Sequence, residues 1–417
     1  MNFRPRFLAL GTAGWMLLAS FPLRAEEHWP RFRGPLGTGH STEAGLPTNW
    51  TPEDVAWRIA LPGRGQSSPV NWGGTLFLTS AEESGATRQI FAIRASDGNL
   101  LWTRKVTVSQ PEAIHQMNSH ATPTCATDGE VVVAFFGPGG LHAWDLQGNP
   151  LWSRADLGTF PGDWGIGASP ILDGDLVIQN CDAEGPSYLL AVHRRTGETV
   201  WKTPRRDSPK GGWSTPILID VPEPKRRELV LNGEFGVQAY DPATGRELWF
   251  CAAPTGRGEP VPEYAHGLLH VLCGKPGNTY VVRPGGDGDV SATHLVRSMR
   301  RQGGRDLPSP AVVGNVFFAC SMSGIASCYD ATTGDLLGEP VRLDAAVSGS
   351  PLVAGGLVYL LAESGEVLVL RPGNPLQIVS RNRLGTQEGE IFRSSPAPIG
   401  GALYFRSDRA LYRVGKN

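Results

Sequence analysis

From about residue 55 onward, apolar residues come in short runs broken by glycine-bearing turns. One stretch shows the pattern. Ile171-Leu172 leads into Asp173-Gly174, a second run follows from Leu176 to Gln179, and a third from Tyr188 to His193 reaches a turn closed by Gly197; a fourth begins at Thr199-Val200-Trp201. Alternating or continuous apolar patterning over so few residues predicts four strands joined by turns. No such stretch holds roughly ten residues of helical period, which excludes helical and leucine-rich repeats.

The stretch recurs. Ser or Thr followed by Pro opens it at Ser68-Pro69, Thr122-Pro123, Ser169-Pro170, Thr215-Pro216, Ser309-Pro310, Ser350-Pro351 and Ser395-Pro396, with a degenerate copy at Val261-Pro262. The prolines are 54, 47, 46, 46, 48, 41 and 45 residues apart. Four short strands at that period predict an all-β propeller blade. Gly98 and Trp102, Gly148 and Trp152, Gly197 and Trp201, and Gly245 and Trp249 also recur four apart. The glycine suits a tight turn between the third and fourth strands, and the flat ring suits docking on a neighbouring blade. Asp241 and Asp330 stand four before their glycines, placed to accept turn amides.

Eight prolines count eight blades, but the last stretch, Ser395 to Val414, has room for only three strands. The missing fourth is expected at Val55 to Leu61, with Trp57 in the docking position, so that the N-terminal strand closes the ring and leaves no long edge. Seven blades is the alternative, if the stretch near residue 260 is an insertion.

Composition agrees with this fold class. Gly and Pro make up about 21% of the chain, against roughly 12% in ordinary domains, too much punctuation for a helix bundle. Arg4 and Arg6 precede an apolar run from Phe7 to Phe21, and Ala25 offers a small residue for cleavage. Residues 1–25 therefore read as a secretory signal, with an uncleaved anchor as the alternative. Residues 26–54 form a Gly/Pro-rich strap and 55–417 the propeller. The mature chain is expected to be exported, periplasmic or secreted, with no transmembrane segment. Without the signal, 35 basic residues face 40 acidic ones and no basic run stands out, so nucleic acid is not an expected partner.

The cysteines lack metal or haem spacing. Cys320 and Cys328 flank the turn Ser321-Met322-Ser323-Gly324, which allows a cross-strand disulfide; buried free thiols are the reading for the other four.

The turn Tyr240-Asp241-Pro242-Ala243-Thr244-Gly245-Arg246-Glu247-Leu248-Trp249 resembles the tryptophan-docking repeat of the pyrroloquinoline quinone (PQQ)-like propellers. That superfamily includes quinoprotein alcohol dehydrogenases and the BamB component of outer-membrane protein assembly. The leader from Trp29 to Gly39 is similar to the strap before a quinoprotein's first blade. The resemblance implies the propeller fold and export. It does not carry over quinoprotein chemistry, because this sequence has neither the adjacent cysteine pair that holds PQQ nor a recognisable acidic cage for calcium.

In a propeller the loops that precede the innermost strands gather at one end of the central channel. Here they supply Arg64 and Gln66; His115, Asn118 and His120; Asp163 and Trp164; Trp213; Tyr264; Arg305 and Asp306; and Arg393. Aromatic faces beside Arg, Asn and Asp suit a ligand with rings or sugar hydroxyls. No catalytic residue and no metal ligand is assigned. The expected function is a non-catalytic binding or scaffold propeller, in envelope assembly or in polymer or ligand recognition at the channel mouth, with a protein, polymer or small ligand as partner. No cofactor is expected. The alternative is a quinone-dependent oxidoreductase of alcohols or sugars with a rearranged site, and only that reading calls for PQQ with calcium.

Overall fold

The computed structural model describes Met1, residues 28–205, 213–253, 258–272, 277–301 and 307–415, and the single positions Gly256 and Gly274. The signal segment, Cys273, Arg305 and Asp306 lie outside the described residues.

Eight antiparallel sheets form eight blades around a channel. Blade 3 is typical: Ile171–Asp173 lies innermost, then Leu176–Asn180, Tyr188–His193 and Thr199–Pro204 outward. Blade 5 is a full blade, running from Glu263–Ala265 to Leu295–Arg300, so Val261-Pro262 opens a true repeat. Val55–Ala60 pairs antiparallel with Ala410–Val414, which completes blade 8 and closes the ring. Strand interiors bury both faces against neighbouring blades, as Val177, Ile178, Leu189, Leu190 and Ala191 show in blade 3. The inner sheets therefore read as continuous apolar runs.

The recurring Ser/Thr-Pro has a structural cause. The backbone N–H of Ser68 donates to the Thr124 hydroxyl, Thr124 to Ser169, and Ser169 to Thr215. On the far side Val261 donates to Ser309, Ser309 to Ser350, Ser350 to Ser395, and Ser395 back to Ser68. One hydroxyl per blade thus accepts the neighbour's amide around the channel, and Val261 interrupts the circle. In blade 2 the ring residue is Thr124, after Pro123; Thr122 bonds Asn118 and Ser119 in the longer loop instead.

The tryptophans dock on the next blade's turn. The Nε1 of Trp57, Trp102, Trp152 and Trp201 donates to the carbonyls of Ser96, Leu146, Arg194 and Pro242, at 3.3, 2.9, 2.7 and 3.1 Å. Within each sheet Trp102, Trp152 and Trp201 face an alanine of the third strand beside a register shift. Trp249 departs from the series. It is fully buried and its Nε1 donates to Glu228 of its own blade at 2.8 Å. The physical reason is blade 5, which replaces the usual turn with an excursion whose Gly288–Asp289 pairs parallel with Trp249 and Phe250. Asp241 and Asp330 accept two turn amides each, as their spacing predicts.

The expected Cys320–Cys328 bridge does not form, and both side chains are buried. Cys320 faces Ala326 and Cys328 faces Phe318 across the strand pair. The two residues are diagonal neighbours, with Cα atoms about 7–8 Å apart, whereas a disulfide usually needs them at roughly 4.4–6.8 Å.

The strap makes a circuit of the channel. Trp29 bridges Asn71 of blade 1, and Thr127 of blade 2 donates to Pro30. Arg31 lies in the field of Asp173 of blade 3, and Gly37 approaches Ile217 of blade 4. Arg33 pairs with Glu263 of blade 5 at 3.2 Å and donates to the Pro310 carbonyl before blade 6 at 2.9 Å. His40–Ser41 adds a parallel inner strand to blade 7, and Glu43 accepts the Gly400 and Gly401 amides of blade 8. The strap thereby fills one end of the channel, and Phe32 forms the floor of the cavity above it.

Candidate functional site

The open end of the channel is built by loops from several blades. His115 stacks on Trp164 at 4.3 Å between centroids with planes 27° apart. Asn118 fixes that partner by donating to the Trp164 and Ile166 carbonyls at 2.7 and 3.1 Å. Trp213 donates from Nε1 to the Gly165 carbonyl at 3.0 Å. The Met117 carbonyl accepts from Gln66 at 2.8 Å and from Arg393 at 3.2 Å, so the 115–118 loop is tied to loops on both sides of blade 8. Arg393 also pairs with Glu363 at 3.0 Å.

A buried clamp holds this loop at both ends. Arg88, fully buried in blade 1, donates to Glu112 at 3.0 Å and to the Phe136 carbonyl at 2.7 Å, and its Nη2 lies 3.3 Å from His120 Nδ1. Burial alone would raise the Glu112 carboxyl; hydrogen bonds from His120 and Arg88 outweigh it and hold Glu112 below its ordinary value. Glu112 and His120 flank the segment that carries His115, Met117 and Asn118.

Of the loop residues expected at the mouth, Gln66, His115, Asn118, Trp164, Trp213 and Arg393 share one cavity of about 180 Å³. Four others lie elsewhere. His120 is buried in the clamp, and Arg64 is exposed at 4.0 Å from Asp408. Asp163 lines neither channel cavity. Tyr264 sits on the inner strand of blade 5 and packs between blades 4 and 5, because that strand starts directly after Pro262. Met117, Thr122, Gly167, Glu259, Leu307 and Ser348 complete the lining, and Glu363 orients Arg393. Glu363 was legible in principle: it lies in a turn between second and third strands, and those turns open to the same end as the loops before the first.

Below the mouth a second cavity of about 110 Å³ shares Gln66, Trp213, Glu259 and Arg393 and descends past Ser68, Thr124, Ser169, Ser309, Ser350 and Ser395 to Phe32. Among the described residues no group of three or more His, Cys, Asp or Glu is arranged to hold a metal ion. Nor is any helix among them long and apolar enough to cross a membrane.

The family described as outer membrane protein assembly factor BamB matches residues 48–163 and 185–414. The chain is similar to tetrathionate hydrolase of Acidithiobacillus ferrooxidans, at 25% identity over 282 residues; the match covers 63% of this chain and 51% of that protein, about half its length. Among solved structures it is similar to BamB from Moraxella catarrhalis, with TM-score 0.60 and 17% identity over 87% of this chain and 97% of that one. It is also similar to quinohemoprotein alcohol dehydrogenase from Comamonas testosteroni, with TM-score 0.64 and 13% identity over 94% and 81%. At these identities the solved structures show a shared fold.

Proposed function

The chain belongs to the family described as outer membrane protein assembly factor BamB, and on that premise we propose that it is an exported, non-catalytic propeller that binds a partner or ligand at the channel mouth. The observation that carries this reading is the mouth itself. Side chains from separate loops converge on one cavity, and hydrogen bonds to backbone carbonyls already fix Gln66, Asn118, Trp213 and Arg393. A surface held in advance loses little freedom on binding, which favours recognition. Envelope assembly, or recognition of a polymer, is the setting in which such an exported propeller acts.

The donor set fits PQQ poorly. The mouth cavity of about 180 Å³ is smaller than the roughly 300–1,000 Å³ of sites for drug-sized molecules. The described cysteines are buried in the protein interior and separate from one another, away from the mouth. Calcium wants six to eight oxygens, and the mouth offers one lining carboxylate, Glu259, beside a Glu363 engaged with Arg393.

Spectral titration of the purified protein with PQQ and calcium, with an assay of dye-linked alcohol oxidation, tests the reading. No tight binding and no turnover are expected. Stoichiometric PQQ binding with oxidation of a simple alcohol overturns it in favour of the oxidoreductase.

A further inference from the structure

The hydroxyl ring around the channel has donors to spare. Ser68, Thr124, Ser169 and Ser395 each accept a neighbouring blade's amide at 2.8–3.0 Å. None of these four hydroxyls donates its own proton to an acceptor among the described residues. All four are at most 5% exposed, and all line the lower cavity. Buried hydroxyls seek a partner for each donor, so this wall is built to meet acceptor oxygens.

Charge narrows the ligand. Among the described residues that line the two cavities Arg393 is the one cation, and it is paired with Glu363, which gives an anion little to hold it there. The sparse carboxylates among those described residues argue equally against a hard cation. Hydroxyls that both donate and accept, together with the Gln66 side-chain oxygen, suit a neutral ligand rich in hydroxyl groups. Above them Trp164 and Trp213 offer flat apolar faces to the C–H side of a ring.

Shape sets the mode of binding. The strap and Phe32 close the far end, so a chain cannot thread through. Only a terminus can enter. We propose that the channel binds the terminal residue of a neutral oligosaccharide or polysaccharide end-on, with the ring between the mouth tryptophans and its outermost hydroxyls in the serine–threonine ring. This deepens the reading of the mouth as a binding site and rests on it.

The test is calorimetric titration of the mature protein with linear malto-, cello-, laminari-, xylo- and mannohexaose, and with a cyclodextrin as a sugar without ends. Saturable binding of at least one linear hexasaccharide is expected, with no binding of the cyclodextrin. Trp213→Ala and Trp164→Ala should each weaken it by at least about tenfold while the melting temperature stays near that of the parent. Ser169→Ala also removes a ring acceptor and is informative only where circular dichroism shows it folded. No binding of any linear sugar, equal binding of the cyclodextrin, or binding unaffected by both tryptophan variants overturns the inference. Those results leave the broader reading standing, since only PQQ-dependent turnover sinks that.

Discussion

The indole of Trp201 in blade 3 occupies the space where Gly245 of blade 4 would carry a side chain: a Cβ built there falls 2.4 Å from the ring. Gly245 has φ +71°, in the left-handed region. Turn geometry and inter-blade packing therefore make the same demand on one position. Gly245→Ala is expected to destabilise the protein by more than the roughly 1–3 kcal/mol that such a backbone conformation costs, and Trp201→Ala by about 3–5 kcal/mol. Urea unfolding of both variants and of the double variant checks the pairing. The double variant should lose less than the two combined, because removing the indole relieves the clash.

Glu263 and Arg33 form the buried ion pair that joins the strap to blade 5, with the His40 Nε2 3.1 Å from the same carboxylate. Glu263→Ala leaves the Arg33 guanidinium buried without its carboxylate, at an expected cost of about 3–5 kcal/mol. Chemical denaturation measures it, and a change within about 0.5 kcal/mol, typical of an exposed site, would contradict the buried pairing.

His270 stacks on Phe317 at 5.3 Å, and burial, aided by the charges of His266 and Arg297, pushes it down to about 4. The unfolded chain takes up that proton near the ordinary value of about 6.5. Stability from the neutral ring is thus fully present above about pH 6.5 and is lost as pH falls to about 4, to a total of about 3 kcal/mol. His270→Phe should flatten this part of a stability–pH profile measured by urea unfolding.

Thiol chemistry gives an independent check on the core. The five described cysteines are buried and form no disulfide with one another, and burial pushes Cys125 and Cys181 up to about 12. Native protein should react with a thiol reagent only slowly, unfolded protein should react promptly, and added reductant should not move the melting temperature. A drop in melting temperature under reductant would restore a disulfide.

Deleting residues 26–61 removes both the strap and the outer strand of blade 8. The truncated chain should fail to reach the native melting transition, because Ala410–Val414 loses its partner and Tyr404 the ring of Trp57 beside it. An unchanged transition in differential scanning calorimetry would refute the closure.

How much of this was legible depended on repetition. Trp102 and Gly148, Trp152 and Gly197, and Trp201 and Gly245 obey one rule, so each instance supports the others, and the blades and their closure could be read from spacing. Trp249 breaks the rule because blade 5 supplies a different turn, which a local motif cannot reveal. At the mouth, Gln66 and Arg393 were found by their place before an inner strand. Tyr264 was misplaced because its strand begins at once after the proline. The strap's circuit left no trace in the pattern: it occurs once, has no period, and spends its polar side chains on partners hundreds of residues away, as Arg33 does on Glu263.

The strap also sets an order in time. Glu43 receives the amide of Gly400, 357 residues later, and Val55 pairs with Val414. A chain synthesised from its N-terminus makes residues 28–60 before the blades they dock on, and the last of those docking positions, on blade 8, exists only when the final hairpin has formed. The strap is made before the blades, yet its docking is completed after them. Contacts of such separation slow folding, and for that interval the outer edge of Ala410–Val414 and the base of the channel both stand open. A chaperone that shields this segment would act on the one step that the chain's own order of synthesis delays.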